Sequence, residues 1–184
     1  MALILLRHTR PEGAEGLCYG RTDLPLAADF GAEAARLARD LPPFTRILSS
    51  PLSRCLRLAE ALAAARARPL MVDARLVEMD FGRWEGQRWA AIARAELDAW
   101  ATDLTGARPH GGETVAELAS RSARALTEAM AGPVPALVVC HAGVIKAALA
   151  ARQGAQGWRA QPDYGSWLQL GAGWNIPEES PPDV

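Results

Sequence analysis

Three observations predict an α/β fold: a three-layer sandwich in which helices flank a mostly parallel central sheet. Residues 2–6 and 136–140 are short apolar runs without a charge, the pattern of strands buried on both faces. Other segments carry apolar residues at helical spacing. The two kinds alternate as β-α-β-α-β-α-α-β-α-β, an order that favours parallel pairing with helices on both faces.

Each element has its own local reason. Residues 2–6 form the first strand, and 11–26 are a long connection rich in Gly and Pro. Residues 28–41 place Ala, Leu and charges at helical spacing until Pro42-Pro43 stop them. Residues 45–49 are a second strand. Ser50-Pro51 then reads as a helix start, serine as cap and proline in the first position, with the helix running to about Ala65. Residues 70–73 are a short third strand, 76–87 are irregular, 87–101 are helical and 103–112 are a polar loop. Thr114-Val-Ala-Glu117 is a capping-box pattern that opens a helix to about Ala131, where Pro133 and Pro135 break it. Strand 136–140, helix 143–152 and strand 166–172 follow. From about residue 175 an acidic, Pro-rich tail is expected to be irregular.

With 184 residues the chain fits one domain, 1–184. It is 49% hydrophobic and 22% charged, which suits a soluble globular protein. The net charge of −1 gives no global basic field, so neither nucleic acid nor an anionic membrane surface is an expected partner. The apolar start stops at Arg7, too soon for a membrane span, and it lacks the marks of a signal peptide. The expected location is the cytoplasm. Cys18, Cys55 and Cys140 are scattered, form no metal-ligand spacing, and read as small structural thiols. An exposed sheet edge leaves room for copies to pair as an oligomer.

Open α/β sheets bind ligands beyond the carboxyl ends of their strands. The first strand ends there in Arg7-His8, and the second runs on to Arg54, about one turn into a helix. The fourth ends in His141-Ala142-Gly143. Two guanidinium forks match phosphate oxygens in bidentate fashion, and a helix amino terminus offers N–H groups and a positive dipole end. A neutral imidazole attacks phosphorus, and a second stabilises the oxygens around it. These groups supply the positive charge, so neither metal nor cofactor is called for. A carboxylic acid is still needed to protonate the leaving oxygen, and Glu78 is the candidate.

These residues resemble the histidine phosphatase superfamily, also called the phosphoglycerate mutase-like family. Leu5-Leu6-Arg7-His8 looks like its nucleophile motif, and Ser49-Ser50-Pro51-Leu52-Ser53-Arg54 like its second-arginine motif. Glu78-Met-Asp-Phe81-Gly82-Arg-Trp84-Glu85-Gly86 looks like its proton-donor segment. Gly111-Gly112-Glu113-Thr114 is similar to its Gly-Glu-Ser turn, and Val138-Val-Cys-His141-Ala-Gly-Val-Ile145 to its second-histidine motif. Five motifs in family order are far more specific than any one.

The resemblance implies a phosphoglycerate mutase-like fold and a role for each residue. His8 becomes phosphorylated. Arg7, Arg54 and His141 hold the phosphoryl oxygens, the Ala142 N–H faces the phosphate, and Glu78 serves as acid and then as base. The segments Tyr19 to Leu26 and Phe81 to Gly86 are most similar to the branch that includes α-ribazole phosphatases, which act in cobalamin assembly. The chain departs from the common pattern with Thr9-Arg10 after the nucleophile, with Ala14-Glu15 where an asparagine is frequent, and with Lys146 where many members carry arginine. Arg10 and Arg21 are candidate contacts to the leaving group, and Thr9 is a candidate substrate-binding residue.

The implied activity is a metal-independent phosphomonoesterase acting on a small phosphorylated metabolite, with α-ribazole 5′-phosphate the first guess. The alternatives are a phosphoglycerate mutase-type phosphotransferase and a non-catalytic protein that binds a phosphorylated ligand. Mutases of the family usually carry an insertion between the proton-donor segment and the Gly-Glu turn, and the stretch from Gly86 to Gly111 is short. Added segments of that kind help to keep water from a phosphoenzyme.

Overall fold

A computed structural model describes residues 3–171, so Ala2 of the first predicted strand, residue 172 of the last and the tail lie outside the described residues. Five strands form one sheet: β1 (Leu3–Arg7), β2 (Arg46–Ser49), β3 (Leu70–Val72), β4 (Ala136–Cys140) and β5 (Trp167–Leu170). Their order across the sheet is β3-β2-β4-β1-β5. All neighbours pair in parallel except β5, which runs antiparallel to β1 at one edge. The helices are α1 (Phe30–Asp40), α2 (Ser53–Arg66), α3 (Arg94–Thr102), α4 (Val115–Ala131), α5 (Ala142–Gln153) and the short α6 (Ala155–Trp158).

The strand pleat sorts the core into two halves. Leu3 and Leu5 of β1 and Ala136, Val138 and Cys140 of β4 pack with Leu118 and Leu126 of α4 and Val144 and Ile145 of α5. Ile4, Leu6, Leu137 and Val139 point the other way, against Leu37 of α1 and Leu58 and Leu62 of α2. Every residue of β4 is buried, as an uninterrupted apolar run requires. A smaller cluster, Cys18, Trp84 and Ile92, with Trp89 and Trp100 packed on it, joins the long first connection to the irregular segment after β3.

Two local expectations are corrected. The predicted helix over 87–101 is a 3-10 turn (Trp89–Ala91) followed by α3. Cross-chain pairing explains the difference. The Cys18 N–H donates to the Gln87 carbonyl at 2.7 Å, Gly86 N–H to Cys18 at 2.8 Å, and Trp89 N–H to Gly16 at 2.9 Å. The backbone there is bonded to the 16–18 loop and cannot also close helical rings.

Ser50 is not the cap of α2. The helix starts at Ser53, and the carboxylate of Asp23, thirty positions upstream, accepts from the Ser53 N–H at 3.0 and 3.1 Å and from its hydroxyl at 2.8 Å. Ser50 Oγ accepts only a long bond from the Leu52 N–H, 3.4 Å and ahead of the helix, and its short contact is with His141. The Thr114–Glu117 capping box forms as predicted at the start of α4.

Asp23→Ala should therefore cost about 1 kcal/mol of stability, the ordinary worth of a helix cap. Urea denaturation measures it. A midpoint unchanged from wild type would show that the Asp23 contact leaves α2 no more stable.

Candidate active site

The site is set by the ladder register. Arg7 lies opposite Cys140 and Ser49 opposite Val139, so His8, Ser50 and His141 each stand one step beyond the carboxyl end of neighbouring strands. The ladder continues that one step, with the His8 N–H donating to the Cys140 carbonyl and the Ser50 N–H to Val139, both at 3.1 Å. Both imidazoles are buried, and their ring centroids lie 5.1 Å apart.

His8 Nδ1 is 2.7 Å from the Thr9 carbonyl, which can only accept, so Nδ1 carries the proton and Nε2 keeps its lone pair. Burial, and then the charge of Arg54, push the His8 pKa down to about 3, against a smaller upward pull from the Thr9 carbonyl. The ring is neutral at physiological pH. His141 is also held well below the usual histidine range, by burial first and then by His8 and Arg54. Its Nε2 shares a 2.8 Å hydrogen bond with Ser50 Oγ.

Two guanidinium groups flank His8. Arg54, wholly buried in the first turn of α2, donates from Nη2 to the Gly20 carbonyl at 2.5 Å and from Nη1 to Thr22 at 2.9 Å. Arg7 donates from Nη1 to the Pro162 carbonyl at 2.8 Å. Each keeps a buried Nε–H with no partner among the described residues. Such donors are rare and need a reason. Tyr164 lies under Arg7, 3.7 Å from Cζ to the ring centre, and Tyr19 under Arg54 at 5.1 Å. The two phenols meet in a 2.6 Å hydrogen bond.

Glu85 fixes the loop that holds Arg54. Its carboxylate accepts from the N–H groups of Gly20, Arg21, Thr22 and Phe81 and from the Thr22 hydroxyl, which together outweigh burial and hold it below the usual carboxylate range. Gly20 allows the close approach: a Cβ there would lie 1.7 Å from the Met79 carbonyl.

Glu78 comes from the segment after β3 and meets the amino terminus of α5. Its Oε2 accepts from the Gly143 N–H at 3.1 Å and its Oε1 from the Met79 N–H at 2.9 Å. Glycine at 143 leaves room for this carboxylate, since a Cβ would lie 2.1 Å from Glu78 Oε1 and would displace it. Arg7, His8, Arg54, Glu78 and Ala142 all line one cavity of about 380 Å³. Such a wall offers a nucleophilic nitrogen, two planar cations and a carboxyl group to one phosphoryl group.

The other predicted residues are placed differently. His141 abuts the His8 ring but is fully buried and is not on the cavity wall. Thr9 is buried and not on the cavity wall, and its hydroxyl has no hydrogen-bond partner among the described residues. Arg10 is exposed near the rim, its Cζ 5.7 Å from the Tyr164 ring centre. Arg21 faces Asp80 at 3.6 Å and Glu113 at 3.9 Å, away from the cavity.

Tyr164 lines the cavity without having been singled out by the sequence, and Tyr19 and Lys146 line it without having been assigned a role there. Lys146 was discernible: it sits four positions after Ala142 on one helix, hence on the same face. Tyr164 lies in a loop and gives no such signal. Among the described residues no group of His, Cys, Asp and Glu gathers to hold a metal ion, and no helix is long and apolar enough to cross a membrane.

Known proteins resemble the chain in sequence and in fold. The chain is 34% identical to a glucosyl-3-phosphoglycerate phosphatase of Mycolicibacterium vanbaalenii, over 91% of this chain and 83% of that protein. It is 30% identical to the adenosylcobalamin/alpha-ribazole phosphatase of Salmonella typhimurium, over 92% and 90%. The crystal structure of the alpha-ribazole phosphatase from Shigella flexneri superposes with a TM-score of 0.80 at 28% identity, over 93% of this chain and 90% of that one. Residues 3–173 match the histidine phosphatase superfamily (branch 1), and the chain belongs to that family.

Proposed function

We propose that the chain is a phosphomonoesterase acting through a phosphohistidine on His8. The observation that carries this reading is the state of His8: a buried, neutral ring with Nδ1 tied to a carbonyl and Nε2 free, between two guanidinium groups that each hold an unused buried donor.

Nε2 of His8 attacks phosphorus as the bond from phosphorus to the ester oxygen breaks. Glu78, as the acid, gives its proton to the departing alkoxide, which leaves as an alcohol. Water then attacks the phosphorus. Glu78, now the carboxylate, takes a proton from it, the bond from nitrogen to phosphorus breaks, and inorganic phosphate leaves with His8 neutral again. Arg7 and Arg54 hold the oxygens of the transferring group throughout, and His141 packs edge-on against the His8 ring. No step uses a metal.

The substrate we favour is a small phosphorylated metabolite, α-ribazole 5′-phosphate first. The relatives' names support a small phosphomonoester and add glucosyl-3-phosphoglycerate to the compounds worth testing. Three free, buried cysteines fit a reducing compartment, the cytoplasm.

The test is a rate profile over a panel of phosphomonoesters, both compounds included, in excess EDTA. Rapid, chelator-insensitive turnover of one of them is expected. His8→Ala should lower it by a factor on the order of 10⁴ or more, as removal of a nucleophile does. Rapid quenching should trap phosphate on His8 in a form labile to acid and stable to alkali. Full activity of His8→Ala would overturn the reading. Transfer of phosphate between positions of phosphoglycerate would favour the mutase, and binding without turnover across the panel the non-catalytic protein.

The neutral histidines also make acid costly. Unfolded, each titrates near 6.5, and folded, His8 titrates at about 3. Between these values the unfolded chain binds more protons, so stability is full above pH 6.5 and is lost as pH falls toward 3, at about 1.4 kcal/mol per pH unit for each such group. Urea denaturation between pH 7 and pH 4 should show a shallower fall for His8→Asn than for wild type. Equal slopes would mean that His8 is charged in the folded protein.

A further inference from the structure

Arg121, on α4, uses all five of its N–H groups. Nε and Nη2 hold the Glu113 carboxylate as a fork, at 2.6 and 2.8 Å. Nη1 donates to the carbonyls of Arg75 and Val77, both at 2.6 Å, and Nη2 to the carbonyl of Glu78 at 3.0 Å. Glu113 completes the clamp from the other side, its N–H donating to the Asp80 carbonyl at 2.9 Å. Both side chains of the pair are nearly buried. Residues 75–80 belong to no helix or strand beyond one 3-10 turn, so these bonds replace the missing secondary structure as their support.

The carboxyl group of Glu78 has little room for error. Oε1 would collide with any Cβ at position 143, and Oε2 depends on a single N–H of α5. A shift of the 75–78 backbone carries Glu78 with it. Misplacement by about 1 Å is enough to cost a reacting group on the order of 100-fold in rate. We infer that Arg121 is a positioning residue: with Glu113, it grips the carbonyls of 75, 77 and 78 and so holds Glu78 at the amino terminus of α5, on the cavity wall. This rests on the assignment of Glu78 as the acid. Lysine cannot replace the fork, since one ammonium has three donors and no planar pair.

The decisive comparison uses two substrates. An alkyl phosphate needs its leaving oxygen protonated, and dinitrophenyl phosphate does not. Wild type, Glu78→Gln and Arg121→Lys are assayed on both, with inorganic phosphate as a competitive inhibitor to report on the Arg7–Arg54 side. Arg121→Lys should lower kcat/KM for the alkyl phosphate by about 10- to 100-fold. It should lower the rate on dinitrophenyl phosphate by less than about threefold, with phosphate inhibition unchanged, the same discrimination that Glu78→Gln shows.

If Arg121→Lys lacks a cooperative thermal transition, Glu113→Gln carries the comparison, since it leaves the three carbonyl bonds in place and weakens their anchor. It should show the same pattern, a larger loss on the alkyl phosphate than on dinitrophenyl phosphate. Equal losses on both substrates, with Glu78→Gln still discriminating, would reduce Arg121 to a support of the fold and leave the proposed function intact. Equal losses in Glu78→Gln itself would remove Glu78 as the acid and this inference with it, while turnover by wild type would still mark a phosphatase.

Discussion

The parallel pairing of β1 with β4 and of β4 with β2 is the constraint on which the site depends. Its register sets His8 opposite His141 just beyond the strand ends, with Ser50 one step short of them at the end of β2. A one-residue slip would turn Leu3 and Leu5 into the face now filled by Ile4 and Leu6 and would exchange two fully packed layers. The core therefore enforces the geometry of the site. The two imidazoles need no direct bond to stay 5.1 Å apart, because the ladder holds them. The same burial that fixes the rings disfavours their charge, so packing and the neutral state of the imidazoles have one cause.

Loops complete what the strand ends begin, and carboxylates hold the loops. Glu85 gathers the 20–22 turn and Phe81, and that turn presents the carbonyls that receive Arg54. Glu113, through Arg121, holds the segment that carries Glu78. Asp23 starts α2 and stands 3.7 Å from Arg54. Fixed dipoles and ions of this kind need no reorganisation during a reaction, and this makes them effective in a site of low dielectric. The cost is a buried guanidinium whose bonds go mainly to carbonyls, a more favourable arrangement for an anionic ligand than for the fold alone.

Much of this was legible in the sequence, for identifiable reasons. Charge-free apolar runs marked β1 and β4, and the capping box marked α4, because burial and capping are local in pattern. The residues at the strand ends, Arg7, His8 and His141, followed directly from those assignments. Contacts across long spans of chain were not legible. Asp23 replaced Ser50 at the start of α2, and the 86–89 backbone bonded to the 16–18 loop where helical spacing pointed to a helix. Arg21 illustrates the same limit, since its charge is directed toward Asp80 and Glu113 by the fold around it and not by any neighbour in sequence. Tyr164 reaches Arg7 from 157 positions downstream, a distance no periodicity spans.

Four carboxylates crowd the segment and turn that face the cavity, and their contacts separate their roles. Glu85 is occupied by five donors. Glu113 is committed to Arg121 through both oxygens. Asp80 accepts the Gly82 N–H at 2.8 Å and faces Arg21. An acid serving in such networks cannot give up or gain a proton without loosening what it holds. Glu78 accepts two N–H groups, pairs with no cation within ion-pair distance among the described residues, and alone of the four lines the cavity. Of the four it is the carboxyl group on that wall whose contacts tie together the fewest loop segments, which suits the acid-and-base role proposed for it.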